Sequence, residues 1–270
     1  MNNGKLCVSI CAKTADEMIQ KIKQAQSYAD LIEIRGDCFD PSELDTASSL
    51  LREESKKLPN LFLLRFRSSE GGNSFDKLDA DLDLTVWGAD FELDMEGEAW
   101  AWLWQHRIFS HHDFSGVPED LTAIYKKLRP EKGTAVKVAV FANDAVDAIP
   151  LWHLLERAVT DHQTNETRLK ISGISPGLDD GNIRFIPIAM GEAGKWTRIL
   201  GLAHGAFMTY ASLDEGAETA PGQITARDLI ETYRVKALDK SAEVYCVIGD
   251  PVATSLSPYI HNPVFAAEGG

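Results

Sequence analysis

The order of apolar and amphipathic segments predicts an α/β fold, a (β/α)8 TIM barrel followed by the opening fragment of a second α/β domain. Three observations carry this. Short β-rich apolar runs alternate with helical patterns eight times over roughly 230 residues, close to the ~250 typical of such barrels. Most of these runs are apolar on both faces, as strands packed between a barrel interior and a helix layer must be. No GxGxxG loop follows the first run, which argues against an open, doubly wound dinucleotide-binding sheet.

The eight strands are expected at 5–11, 30–35, 61–67, 89–93, 108–112, 135–141, 183–190 and 205–210. Thr14 and Glu17 form a capping box that opens a helix carrying Met18, Ile19, Ile22 and Ala25 on one face. Pro118 opens a second helix, with Leu121, Ile124, Tyr125 and Leu128 apolar. Asp144 caps a third, in which Pro150 either makes a kink or marks the true first turn. The stretch 167–182, TRLKISGISPGLDDGN, reads as an extra β-hairpin inserted before the seventh strand. The expected division is a barrel over 1–237, a polar linker over 238–243 and a second-domain fragment over 244–270.

Composition narrows the class of partner. Of 270 residues, 44% are hydrophobic, which supports a large core and excludes disorder as the main state. Asp and Glu number 41 against 27 Lys and Arg, a net charge of −14 with no basic stripe, so nucleic acid is not an expected partner. An anionic small substrate is still permitted where a few buried cations focus positive potential in one pocket. Cys7, Cys11, Cys38 and Cys246 lack CxxC spacing and read as reduced thiols of a cytoplasmic protein. Neither a signal peptide nor a membrane-spanning run is found, so a soluble, unexported protein is expected. A homodimer is the assembly considered, and nothing in the sequence selects it.

Functional groups of a barrel belong at the C-terminal ends of strands and in the loops that follow. Lys137 interrupts the apolar strand AVKVAVFA. In a low-dielectric interior its ammonium form is disfavoured, which makes an amine available for Schiff-base chemistry. The alternative is a lysine that snorkels to solvent or pairs with a carboxylate. His112, in SHHDF, fits a general acid and base, against a core histidine or a metal ligand grouped with His111 and Asp113. Strand alternation sends His111 and His112 to opposite sides. Arg67 and Glu70 lie in RFRSSEGG, where Glu70 could orient a histidine or simply pair with arginine. Arg198, in KWTRILG, suits a bidentate grip on a carboxylate but equally a solvated helix face. Glu33, Arg35, Asp37, Thr219 and Gln223 complete the polar set at strand ends.

These residues together resemble the type I 3-dehydroquinate dehydratase family over most of 5–237. The matching segments are EIRGD at 33–37, FRSSEGG at 66–72, SHHDF at 110–114, VKVAV at 136–140 and APGQ at 220–223. The resemblance implies a dehydration of 3-dehydroquinate without metal or dissociable cofactor. Lys137 would form the imine with the C3 ketone. His112 would remove the C2 proton and later protonate the departing C1 hydroxyl, with Glu70 orienting it. Arg198 would hold the substrate carboxylate, Glu33, Arg35, Arg67, Thr219 and Gln223 would contact hydroxyls or shape the site, and Met190 would pack near the imine. The chain departs from the family pattern in a shorter Glu70 loop, in Thr219 where a serine is usual, and in the insertion before the seventh strand.

The tail, VIGDPVATSLSPYIHNPVF, resembles the opening segment of shikimate dehydrogenase. Ser255 and Ser257 would match its two shikimate-binding serines. The rest of that enzyme, including its NADP site, is not in the sequence, so no dehydrogenase activity is expected. A Schiff-base aldolase, a metal-dependent hydrolase and an inactive barrel acting as a fusion scaffold are the competing readings. The aldolase would need a different acid and base set, and the scaffold would need the loss of Lys137 or His112.

Overall fold

The structure, a computed structural model, describes residues 2–58, 62–65, 88–92, 106–128, 135–171, 184–249, 252 and 254–268. Among these residues eight strands run in chain order: β1 (Lys5–Ile10), β2 (Leu31–Arg35), β3 (Phe62–Arg65), β4 (Gly88–Glu92), β5 (Arg107–Asp113), β6 (Ala135–Phe141), β7 (Arg184–Met190) and β8 (Met208–Ala211). All pair in parallel in the spatial order β7-β6-β5-β4-β3-β2-β1-β8, the circular neighbour order of a TIM barrel. The seam between β7 and β8 carries no ladder among the described residues. Phe207 N–H donates across it to the Phe185 carbonyl at 2.9 Å, so the barrel wraps round without closing fully.

Among the described residues six α-helices accompany the strands: α1 (Ala15–Ala25), α2 (Leu44–Lys57), α3 (Leu121–Leu128), α4 (Ile149–Ile171), α5 (Lys195–Leu200) and α6 (Ser257–Ala267). The capping box of α1 forms in a displaced version. Thr14 Oγ1 accepts from Glu17 N–H at 3.3 Å, while the Glu17 carboxylate reaches one residue further back, to Lys13 N–H at 2.8 Å. Met18, Ile22 and Ala25 are buried as their spacing requires. Helix α3 starts later than Pro118, because Asp120 Oδ1 caps it by accepting from Ala123 N–H. Pro150 occupies the first turn of α4, after a short 3-10 turn (Ala145–Ala148) capped reciprocally by Asp144 and Asp147.

Two buried layers result. The outer one, between strands and helices, contains Leu6, Val8, Ile10, Met18, Ile22, Val138 and Leu155. The inner one fills the barrel with Cys7, Leu31, Ile108, Ala139, Ile186, Met190, Met208 and Tyr210. No helix among the described residues is long and apolar enough to cross a membrane.

Three expectations are corrected. The hairpin reading fails at its start, because Thr167–Ile171 is the end of α4 and 172–183 lies outside the described residues. Arg168, Leu169 and Lys170 are strong helix formers, and they extend a helix already under way. Strand eight begins at Met208 rather than at 205. Gly205 turns the chain first, at φ +96°, where a Cβ would meet the Val159 side chain at 2.9 Å. Finally, Cys11 and Cys38 are not reduced thiols but a disulfide, with Cα atoms 5.4 Å apart; Cys7 is buried and Cys246 exposed, both unbridged. The compartment inference drawn from four thiols therefore loses half its basis.

The bridge ties the segment after β1 to the 3-10 turn (Gly36–Cys38) that follows β2, closing a loop with a sequence separation of 27. Reduction by a small dithiol, or Cys38→Ser, is expected to lower the unfolding free energy by about 3 kcal/mol. Urea denaturation with and without reductant measures this, and an unchanged midpoint would show that the bridge constrains nothing.

Candidate active site

Parallel strands point their C-terminal ends to one face of the barrel, where a cleft opens. Lys137 enters it from β6, with Asp90 of β4 beside it: Nζ to Oδ2 is 2.9 Å, and the two residues are 5% and 1% exposed. On its other side Nζ lies 4.0 Å from the centroid of the Tyr210 ring. The structure takes one part from each reading of this lysine: it is buried in the barrel interior, as the first requires, and it is paired with a carboxylate, as the alternative has it.

His112 lies on the rim, near the end of β5. Its Nδ1 is 2.6 Å from Glu92 Oε2, and its backbone N–H donates to Glu92 Oε1 at 2.8 Å. A carboxylate in this position accepts, so the ring carries its proton on Nδ1 and leaves Nε2 as the basic nitrogen. Glu92 thus fixes both the backbone and the tautomer. Ser110, within reach of the same carboxylate at 3.4 Å, adds to the support. Phe114 stacks beside the imidazole, with centroids 6.3 Å apart. Asp113 instead binds Ser115, whose hydrogen bonds hold its carboxyl below the usual range. Among the described residues, no group of three or more acidic, His or Cys side chains is placed to hold a metal ion.

Arg198 differs from its solvated-helix reading. It sits on α5 at 1% exposure, and burial lowers its pKa to about 10. Its partners are carbonyls, with Nη1 donating to Tyr210 O at 3.4 Å and Nη2 to Pro221 O at 3.3 Å, and no carboxylate pairs with it among the described residues. A buried cation left uncompensated in this way favours an anion in the cleft.

Glu33 is positioned by Ser9, whose Oγ donates to Oε1 at 2.6 Å, while Oε2 is buried with no hydrogen-bond partner among the described residues. Arg35 is gripped bidentately by Asp37, at 2.7 and 2.5 Å. Thr219 and Gln223 close the APGQ turn on each other, with Gln223 Oε1 accepting Thr219 N–H at 2.6 Å and its Nε2 donating to Thr219 Oγ1 at 3.2 Å. The turn needs glycine at 222, where φ is +70° and a Cβ would lie 2.2 Å from the Gly191 carbonyl oxygen. Met190 is buried at the base of the cleft.

The structure therefore brings together Lys137, His112, Glu33, Arg35, Met190, Arg198, Thr219 and Gln223. Glu70 and Arg67 lie outside the described residues. Glu92 makes a histidine-orienting contact with His112, a role not read for it in the sequence. Ser255 and Ser257 lie at the start of α6, away from the cleft, where Ser257 N–H donates to Ser255 Oγ at 3.3 Å. Asp90, Glu92 and Tyr210 went unread in the sequence. Asp90 and Glu92 alternate in GADFE and interrupt a buried strand, the same signal that singled out Lys137.

The fold and the cleft together define an enzyme-like site on a parallel α/β barrel, with a buried lysine, an oriented histidine and a buried arginine lining one cleft. Comparison with known proteins places it more narrowly. The family model for type I 3-dehydroquinase matches residues 6–169 and 178–240. The bifunctional 3-dehydroquinate dehydratase/shikimate dehydrogenase of Arabidopsis thaliana chloroplasts is 27% identical over 98% of this chain. The match spans only 42% of that plant protein. The 3-dehydroquinate dehydratase of Methanococcus maripaludis is 27% identical over 85% of the chain and 99% of its own length. The crystal structure of the 3-dehydroquinate dehydratase from Aquifex aeolicus superposes with a TM-score of 0.64 at 24% identity, covering 86% of this chain and 98% of that one. The chain belongs to the type I 3-dehydroquinase family.

Replacing Arg198 by methionine is expected to raise stability by about 1–2 kcal/mol, because the buried charge lacks a counter-ion. The same change is expected to weaken substrate binding at least tenfold. Urea denaturation and KM measure the two together, and a loss of both would contradict this assignment.

Proposed function

We propose that the cleft carries out the dehydration through an imine on Lys137, with His112 as general acid and base. The overall reaction follows from the family: a type I 3-dehydroquinase converts 3-dehydroquinate to 3-dehydroshikimate, a step of the shikimate pathway. The observation that carries the residue assignment is the pairing of two buried cations with different partners. Lys137 faces a protein carboxylate, whereas Arg198 faces the open cleft with none. The arrangement suits a substrate with a ketone at one end and a carboxylate at the other.

In this reading Arg198 takes the carboxylate and Glu33 Oε2, a buried acceptor without a donor, takes a hydroxyl. The substrate ring is then held with C3 at Lys137. Attack by the amine and loss of the carbonyl oxygen as water give an iminium, which withdraws electrons and makes the C2 proton acidic. His112 Nε2 removes that proton, and the resulting imidazolium is stabilised by Glu92. The same proton then goes to the C1 hydroxyl as it leaves, and water releases the product from Lys137. The iminium serves as electron sink, so neither a metal nor a dissociable cofactor takes part in this account.

Residues 244–270 enter the proposal as the opening of a shikimate dehydrogenase-like segment. Support comes from the plant relative, whose match spans nearly the whole of this chain. Activity towards shikimate is not assigned to it.

Two measurements test the residue roles. Incubation with 3-dehydroquinate and borohydride is expected to give a covalent adduct on Lys137 by mass spectrometry, absent from Lys137→Ala; a folded wild-type protein without an adduct would refute the imine. Glu92→Gln is expected to lower kcat by about 10²- to 10⁴-fold while leaving KM within a few-fold, because it removes the partner of the imidazolium. An unchanged kcat would remove Glu92 from the mechanism.

A further inference from the structure

Tyr210 belongs to the described site only by position, and its contacts assign it a task. It stands on β8 opposite Cys7 of β1, inside the inner apolar layer and 3% exposed. Its backbone carbonyl accepts from Arg198, so the strand carrying the ring is tied to the residue that awaits the carboxylate. The face of the ring lies 4.0 Å from Lys137 Nζ, while Asp90 holds the same nitrogen at 2.9 Å. One buried nitrogen is thus held between a carboxylate and an aromatic face.

These two neighbours differ chemically. Asp90 attracts a cation and can also take its proton. The ring attracts a cation through its quadrupole and takes nothing. Imine formation conserves the charge on this nitrogen: the lysine ammonium plus the ketone gives the iminium plus water. A C–N bond forms, the C–O bond breaks, and two of the three ammonium protons leave in the water. Between these two cationic states lie the neutral amine that attacks and the neutral carbinolamine it forms, so a fixed group that favours a cation without consuming protons favours collapse of the carbinolamine to the iminium.

We propose that the face of Tyr210 is a component of the imine-forming centre, stabilising the iminium on Lys137 and holding Nζ in line with the substrate ketone. The proposal rests on the reading of Lys137 as the imine-forming residue. It makes Tyr210 a catalytic residue by contact with the reacting nitrogen. The working part is the ring face rather than the hydroxyl. The effect is confined to cationic stages, because proton removal by His112 converts the iminium to a neutral enamine that the ring no longer favours.

The test compares wild type, Tyr210→Phe, Tyr210→Leu and Tyr210→Met, each verified as folded by circular dichroism. Borohydride-trapped adduct with 3-dehydroquinate is measured at a fixed short time, alongside kcat/KM. The phenylalanine variant keeps the face and is expected to stay within about twofold of wild type on both readouts. The leucine and methionine variants are expected to lose about tenfold in kcat/KM, the rate equivalent of roughly 1.4 kcal/mol, with a matching loss of trapped adduct. Methionine fills the space without a π face and decides the matter where leucine does not fold. Wild-type trapping by leucine or methionine would overturn the proposal, as would a phenylalanine variant as impaired as they are. No adduct in wild type would instead bring down the imine reading itself, and the role of Tyr210 with it.

Discussion

The ion pair between Lys137 and Asp90 sits where an α/β barrel normally keeps only packed aliphatic side chains, and much of the site is arranged around it. An ammonium placed between Ala139 and Ile108 would be expelled or neutralised without a partner at hydrogen-bonding distance. Asp90 supplies that partner from two strands away, because β4, β5 and β6 are in register side by side, with Asp90 opposite Ile108 and Lys137 opposite Ser110. The register that brings the pair together also sets Glu92 opposite Ser110, two residues further along β4, and so places it beneath His112. Lys137 and His112, the proposed nucleophile and base, are therefore positioned by one ladder of three strands. A slip of one residue in β4 would turn both carboxylates outward.

The other half of the site is built on a different principle. Among the described residues Arg198, as buried as Lys137, is met only by carbonyl oxygens, and Glu33 keeps one carboxylate oxygen without a donor. These are costs that the folded chain carries in the absence of ligand, and a hydroxylated carboxylate offsets both at once. The net charge of −14 does not oppose this, because a cation in a low-dielectric cleft acts on a bound anion far more strongly than distant, screened surface charges. The loop contributing Thr219 and Gln223 is held against the end of β7 by a contact between Gly222 and Gly191 that admits no side chain.

The barrel was legible because its strands are short, apolar on both faces and separated by helices with clear starts; β6 falls at 135–141 as its sequence predicts. Lysine in that strand was conspicuous for the same reason, whereas Asp90 and Glu92 were hidden in a shorter run beside further acidic residues, where carboxylates look like a solvated edge. The pairing of Glu92 with His112 depends on strand register, which a sequence does not display. The hairpin expectation gave too little weight to the helix formers at its start, which continue α4 to Ile171. Cys11 and Cys38 were unreadable as a bridge because their spacing becomes a distance only once β1 and β2 lie side by side.

The central claim is that one substrate satisfies both halves of the cleft, with its ketone carbon on Lys137 and its carboxylate on Arg198. The crystal structure of the borohydride-reduced complex with 3-dehydroquinate tests it most directly. The account predicts a C–N bond at Lys137 Nζ, the carboxylate paired to the Arg198 guanidinium and a substrate hydroxyl donating to Glu33 Oε2. A carboxylate lying elsewhere, with Arg198 still facing only Tyr210 O and Pro221 O, would contradict it.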